Sequence, residues 1–318
     1  MVKNKEGVKV LNRIKGVMLG HAVGDALGVP VEFSNRSSLE AHPVTGMRGF
    51  GTYNVPAGTW SDDTSMSLCT LESLSKGKID YDDIMINFCK WYYDGEFTAT
   101  DEVFDIGNTC AMAIDNYHYF GTAATKCGLS NVTSNGNGSL MRIHPFVMYA
   151  YYNNIKDDKL VYMIEMASRL THAHDISIDG CVIYAYILIE LLKEASIRSV
   201  YNGLKQAYKV ISYDSEMHYK RLLELDIATL DKTEIKSSGY IVHSLEAAIW
   251  CLLTTNTYKD CVLKAVNLGE DTDTVSAIAG GLAGALYGIE SIPQQWLETL
   301  KRKDYIENMC EVAYKNWR

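Results

Sequence analysis

No two cysteines stand in a CxxC spacing, although the chain holds eight of them. Cys69, Cys89, Cys110, Cys127, Cys181, Cys251, Cys261 and Cys310 are scattered, several within apolar helical patterns where cysteine acts as a small buried hydrophobe. Reduced thiols and a cytoplasmic setting are therefore expected. Basic runs are missing too: 30 basic against 39 acidic residues leave a net charge of −9, which repels phosphate backbones and excludes nucleic acid as a partner. No apolar run is long enough for a membrane. The longest, after Asp273, is about 14 residues, roughly 21 Å as a helix, where a span needs about 20 residues. The N-terminal "MVKNKEGVKVLNRIKGVMLG" alternates lysine with apolar residues and lacks the apolar core of a secretory signal. Neither a fixed-period repeat nor a low-complexity linker divides the chain, so one domain over residues 1–318 is expected.

Hydrophobic spacing is helical almost everywhere. Leu11, Ile14, Met18 and Ala22 fall at steps of three and four, as do Ile84, Phe88 and Trp91. Residues 179–196 and 240–255 are apolar on most sides and predict central helices. Gly77 and Gly95 mark helix stops, and Asp80 and Pro293 mark starts, while no series of alternating strands is visible. The fold class is all-α. Two long irregular stretches, 30–61 and 121–145, are the natural carriers of function.

Acids crowd at two helix mouths. "LGEDTDTVSAIAGGLAGALYG" (268–288) places Glu270, Asp271 and Asp273 beside Thr272 and Thr274, ahead of fourteen uncharged residues, with a helix predicted from near Thr274. Gly280, Gly284 and Gly288 recur every four residues, a flat stripe against which another helix can pack closely. One Asp would serve as an ordinary N-cap, but three acids in four residues repel one another and capping needs only one. "GTWSDDTSM" (58–66) repeats the grouping with Ser61, Asp62, Asp63 and Thr64. Two such mouths face to face make a cage of oxygens suited to hard divalent cations, Mg²⁺ or Mn²⁺, and two clusters suggest two ions. An aspartate-nucleophile phosphatase needs a strand before "DTDT", and an EF-hand needs a ligand and a glycine where Val275 and Ser276 stand. The DDxxD of all-α prenyl-diphosphate enzymes would need an acid in place of Met66, and that class stays an all-α, metal-dependent rival. Asp25, seven residues after Met18 on an apolar stripe, should point inward and must be paired, as an anchor for the loop carrying Glu32 or as a partner of the metal ligands.

The chain resembles the ADP-ribosylglycohydrolases through nearly its whole length. The motifs are "GVMLGHAVGDALGVPVEF" (16–33), "GTWSDDTSM", "DIGNTC" (105–110), "SNGNGSLMR" (134–142), "LTHAHDISIDG" (170–180), "SGYIVHSLEAAIW" (238–250) and the segment from 268, in that order. The resemblance implies a compact orthogonal helical bundle with a dinuclear metal centre in a central cleft, cleaving the bond between C1 of the distal ribose and a modified group. It implies one metal-ligand set from Ser61, Asp62 and Asp63 and another from Asp271, Asp273 and Thr274. Position 61 is more often threonine in that family, and position 270 more often glycine; Glu270 is expected to face solvent.

The same resemblance makes Glu32 the mobile catalytic glutamate and makes Asp105 and Asn108 the partners of a guanidinium, which a carboxylate suits. It makes Ser134, Gly136, Asn137, Gly138 and Ser139 a diphosphate-cradling loop, with His172 and Tyr240 on the substrate side; His174 is read as structural. The expected reaction is metal-dependent hydrolysis of ADP-ribosyl-arginine on protein, with Asp62 and Asp273 essential to it, by a monomer. Serine-linked or small-molecule ADP-ribose derivatives, or a non-catalytic ADP-ribose reader, are the alternatives.

Overall fold

Four glycines of the first predicted helix, Gly16, Gly20, Gly24 and Gly28, share the four-residue spacing of Gly280 and Gly284. Two such stripes allow two backbones to approach more closely than side chains normally permit. The computed structural model describes the backbone of residues 2–317 and the side chains of residue 7 and residues 9–317. Among them run the helices α1 (Val2–Gly28), α2 (Arg36–Ala41), α3 (Asp62–Leu74), α4 (Tyr81–Asp94), α5 (Asn108–His118), α6 (His144–Tyr152), α7 (Asp157–Ser168) and α8 (Asp175–Lys193). The remainder are α9 (Ile197–Ala207), α10 (Tyr213–Glu224), α11 (Ile241–Leu253), α12 (Tyr258–Val266), α13 (Thr272–Tyr287), α14 (Gln294–Thr299) and α15 (Lys303–Asn316). Strands are absent among the described residues; extended pairing is limited to the single bridges Leu129–His172 and Gly136–Tyr240.

The axis of the bundle is the antiparallel pair α1 and α13. A methyl on Gly16 or Gly20 would collide with the carbonyl oxygen of Gly284 or Gly280, and one on Gly24 with that of Ser276. At the end of the pair Gly28 lies against the backbone of Asp273, and Thr272 Oγ1 donates to Gly28 O at 2.8 Å. Gly288 falls outside the stripe: at φ +83° it ends α13. The pairing brings the C-terminal half of α1 against the acidic mouth of α13.

α8, α11 and α13 are buried nearly all round and form the centre, continuous with the apolar faces of α1, α3 and α6. α4, α9 and α15 bury one face each. Asp80 caps α4, left-handed Gly95 ends it, and Pro293 precedes α14, as the punctuation predicts. The stretch 30–61 contains one unpredicted element, α2, a single short turn of helix capped by Asn35 and burying only Leu39. No helix among the described residues is long and apolar enough to cross a membrane. All eight cysteines are unpaired.

Candidate active site

Two helix N-termini meet on the floor of one cleft. Ser61 caps α3 from an extended backbone, its Oγ accepting the N–H of Asp63 at 3.4 Å. α13 begins two residues earlier than its periodicity predicts, with Asp271 as its first non-helical residue. Asp63 Oδ2 joins the two mouths by accepting the hydroxyls of Ser61 at 3.2 Å and Thr274 at 3.1 Å. Asp273 Oδ1 accepts the N–H of Thr274 at 2.9 Å, and Asp271 Oδ2 accepts the side-chain amide of Asn137 at 2.8 Å.

Each of these three acids thus spends one oxygen on the protein. The other oxygens, Asp63 Oδ1, Asp271 Oδ1 and Asp273 Oδ2, are buried without a protein partner among the described residues.

Asp25 reaches the floor from α1. Its carboxylate accepts the N–H of Ser61 at 2.9 Å, the N–H of Thr64 at 3.0 Å and the Thr64 hydroxyl at 2.6 Å. It therefore anchors the mouth of α3, not the loop carrying Glu32. Oxygens of Asp25, Asp63 and Asp273 lie within 4.8 Å of one another, and so do those of Glu32, Asp105 and Asp273. Asp273 belongs to both triples. Asp62 and Asp271 belong to neither and line the cleft above them.

Electrostatics at this floor are one-sided. Burial pushes the carboxyls of Asp62, Asp63, Asp271 and Asp273 upward, and the charge of Asp105 adds to it in each case. Burial lifts Asp25 to about 7 and, with the charge of Asp105 next, Glu32 to about 9. Lysine and arginine contribute no ion pair to these groups among the described residues. Buried acids without a counter-charge must either take up protons or hold cations. An all-oxygen donor set with unused lone pairs on three carboxylates fits hard divalent ions.

The cleft above has a volume of about 400 Å³. One wall carries Glu32, whose Oε2 accepts the hydroxyl of Tyr53 at 2.6 Å and whose carbonyl accepts the hydroxyl of Thr52 at 2.9 Å. The Tyr53 ring packs 4.9 Å from that of Phe104, next to half-buried Asp105, so this tyrosine ties the Glu32 and Asp105 loops together. Asp105, left-handed at φ +55°, stands two residues ahead of Gly107, the residue preceding α5, and Asn108 begins that helix, exposed on the cleft rim. The opposite wall is the glycine-rich loop with Gly136, Asn137 and Gly138, together with His172. A methyl on Gly138 would sit 2.7 Å from Cys110 Sγ and 2.9 Å from His172 Cε1, so only glycine lets the loop pass between them.

Three expected cleft residues do not line it. Ser139 turns into the core, bonded to Ser168 Oγ at 3.1 Å and Cys181 Sγ at 3.4 Å. Ser134 is buried, its N–H donating to Asn131 O at 2.8 Å to close the turn ahead of the glycines. Tyr240 directs its hydroxyl to His218 on α10 at 3.1 Å, leaving its neighbour Gly239 on the cleft wall. His174 caps α8, and Glu270 is exposed. Tyr53, Thr171 and Arg142 were not singled out by sequence. Arg142 and Thr171 lie inside the motifs 134–142 and 170–180, but Tyr53 is one of 21 tyrosines and carries no local signal.

Two acidic helix mouths thus floor a polar, glycine-walled cleft in an all-helical bundle, an arrangement with the donors to hold divalent cations. The chain belongs to the ADP-ribosylglycohydrolase family, whose model matches residues 6–318. It is 32% identical over 310 residues to the ADP-ribosylarginine hydrolase Tri1 of Serratia proteamaculans, covering 96% of this chain and 79% of that protein. It is 31% identical to the ADP-ribosyl-[dinitrogen reductase] glycohydrolase of Rhodospirillum rubrum, covering 93% of each. A solved structure described as an ADP-ribosylglycohydrolase-related protein complex superposes with a TM-score of 0.81 at 30% identity, over 97% of this chain and 99% of that one.

Proposed function

We propose that this enzyme hydrolyses the N-glycosidic bond of ADP-ribosyl-arginine on protein, with two divalent cations, Mg²⁺ or Mn²⁺, held by Ser61, Asp62, Asp63, Asp271, Asp273 and Thr274. The observation that carries the reading is the set of three buried carboxylate oxygens, at the junction of the two helix mouths, that have no protein partner among the described residues. Relatives that are ADP-ribosylarginine hydrolases support the arginine linkage. Bound there, the cations would order vicinal ribose hydroxyls and lower the pKa of a water.

The chain's own residues do the rest. Asn137 holds Asp271, and the Asp25 cap holds the α3 mouth, so both ligand sets are fixed before substrate arrives. Tyr53 occupies Oε2 of Glu32, and once bound cations favour the carboxylate against the burial and the Asp105 charge that raise it, Oε1 is left to take the proton of the attacking water. Asp105 and Asn108 face the guanidinium, a carboxylate for a planar fork of N–H donors. As the bond from C1 to nitrogen breaks, positive charge grows on the ribose, and the acids of the floor stabilise it. The glycine-rich loop and His172 hold the diphosphate. The unpaired thiols support a reducing, cytoplasmic setting, and the unbroken run of motifs supports one catalytic domain over residues 1–318, which we propose acts as a monomer.

The test is release of ADP-ribose from matched arginine-linked and serine-linked peptides with Mg²⁺, with Mn²⁺ and with chelator, beside an Asp62→Ala, Asp273→Ala double variant. Metal-dependent cleavage of the arginine peptide, lost in the variant, is expected. Cleavage of the serine peptide alone would move the linkage, and binding of free ADP-ribose with neither peptide cut would make the protein a reader.

A further inference from the structure

Arg142 is a fully buried arginine with no acid beside it. Its guanidinium donates to Ala167 O at 3.2 Å through both terminal nitrogens and to Thr171 Oγ1 at 2.7 Å, and it lies 5.0 Å from the centre of the Phe88 ring. Thr171 Oγ1 is also 2.9 Å from His172 Nδ1. His172 lines the cleft, and Gly136 approaches its Nε2 edge.

Hydrogen-bond direction along this chain is decided at its first member. Arginine carries donors only, so the Thr171 oxygen accepts there and its own hydrogen is free to go elsewhere. The nearest strong acceptor is His172 Nδ1; the thiol of Cys110, which burial keeps protonated, is a poor one. The guanidinium charge acts in the same sense, favouring a lone pair over an N–H on the ring edge that faces it. Burial, with the Arg142 charge next, lowers His172 to about 3, so the ring is neutral and has a single N–H to place.

We infer that Arg142, through Thr171, fixes His172 as the tautomer protonated on Nε2, so that the cleft wall presents a side-chain N–H donor beside Gly136 and Gly138 for a diphosphate oxygen of the ligand. Arg142 and Thr171 are positioning residues and touch no substrate. The inference rests on the ADP-ribose reading for its ligand, but the tautomer itself belongs to the free protein.

The ring nitrogens of ¹⁵N-histidine-labelled, Mg²⁺-loaded protein are read by long-range ¹H–¹⁵N correlation, with His172→Gln assigning the signal, and ADP-ribose affinity is measured by calorimetry. Wild type is expected to show Nδ1 unprotonated and Nε2 protonated. Thr171→Ser keeps this pattern and the affinity. Thr171→Val loses the preference and weakens ADP-ribose binding about tenfold, the share of one hydrogen bond to a charged group. A His172 protonated on Nδ1 in wild type, or a Thr171→Val protein with unchanged tautomer and affinity, overturns the inference. Failure of wild type to bind ADP-ribose would instead sink the functional reading, and the tautomer signal would still decide the relay.

Discussion

Glu270 sits where the backbone is left-handed, at φ +62°, directly after Gly269 at φ +81°. Its N–H donates to Ser34 O at 2.8 Å and its carbonyl accepts from Phe33 N–H at 2.7 Å, so the conformation is held by the loop that carries Glu32. A side chain in this region costs on the order of 1 kcal/mol. A glycine at this position would carry no such cost. Glu270→Gly is expected to stabilise the protein by up to about 1 kcal/mol, after part of the relief is offset by unfolded-chain entropy, with ADP-ribosyl hydrolysis retained. A clear drop in the denaturant midpoint would refute it. Tyr53 shows the opposite balance, a side chain whose value lies in one contact. Tyr53→Phe keeps the packing on Phe104 and deletes the hydroxyl that holds Glu32. Expected is a fall in kcat of about tenfold with KM little changed, as befits a lost orienting hydrogen bond; an unchanged kcat would show that Glu32 is oriented by its backbone alone.

Helix pairing decides where these residues stand. Alanine is the better helix former by about 1 kcal/mol, so Gly20→Ala in an ordinary helix would stabilise. Here the added methyl meets the carbonyl of Gly280, and Tyr258 already donates to Gly20 O at 2.7 Å on the same turn. The variant is expected to lose about 2 kcal/mol or more in chemical denaturation and to lose activity with it, since separating α1 from α13 moves Asp25 away from Asp273. A gain in stability would mean that the pair can part without cost.

The same elements show what sequence alone could reveal. The cage was legible because acid and hydroxyl recur at two helix starts, a pattern that capping alone does not need. The glycine stripe announced close packing, but its mate in α1 became visible only with both helices in hand. α2 was hidden because six residues burying a single leucine leave no periodicity. Ser139 is placed in the cleft by family likeness, whereas its hydroxyl meets Ser168 and Cys181 in the core, which the glycine-rich composition of the loop does not signal. Tyr53 and Arg142 act on groups distant in sequence or across a turn, where residue type carries no spacing signal. Glu32 and Asp105 were marked by family likeness, since each alone reads as an ordinary acid.

Across the whole molecule the buried acids couple folding to pH and to cations. An acid with an ordinary pKa near 4 when unfolded but about 7, as Asp25, or about 9, as Glu32, when folded makes the native state bind protons that the unfolded state has released. Asp62, Asp63, Asp271 and Asp273 act in the same direction. Their contribution is therefore present at low pH and is lost as pH rises through the folded values. Buried histidines oppose this at the acid end: His21, lowered to about 4, and His172, lowered to about 3, cost stability as pH falls below about 6.5. Above that pH they are neutral in both states and the acids set the slope, joined from about pH 8 by the cysteine thiols, which burial also raises and which act in the same direction. In chelator, the melting temperature is expected to fall from pH 6.5 to pH 9. With Mg²⁺ the charged acids become ligands, so binding strengthens as protons leave and the melting temperature holds or rises. The gap between the two curves should widen with pH. An Asp63→Asn, Asp273→Asn variant should flatten the chelated curve and erase the response to Mg²⁺, because two of the mutually repelling charges and two unpartnered oxygens are gone together. Parallel curves for wild type in Mg²⁺ and in chelator would mean that the cage folds without cations and that its acids are protonated, which would remove the basis for the metal-dependent reaction itself.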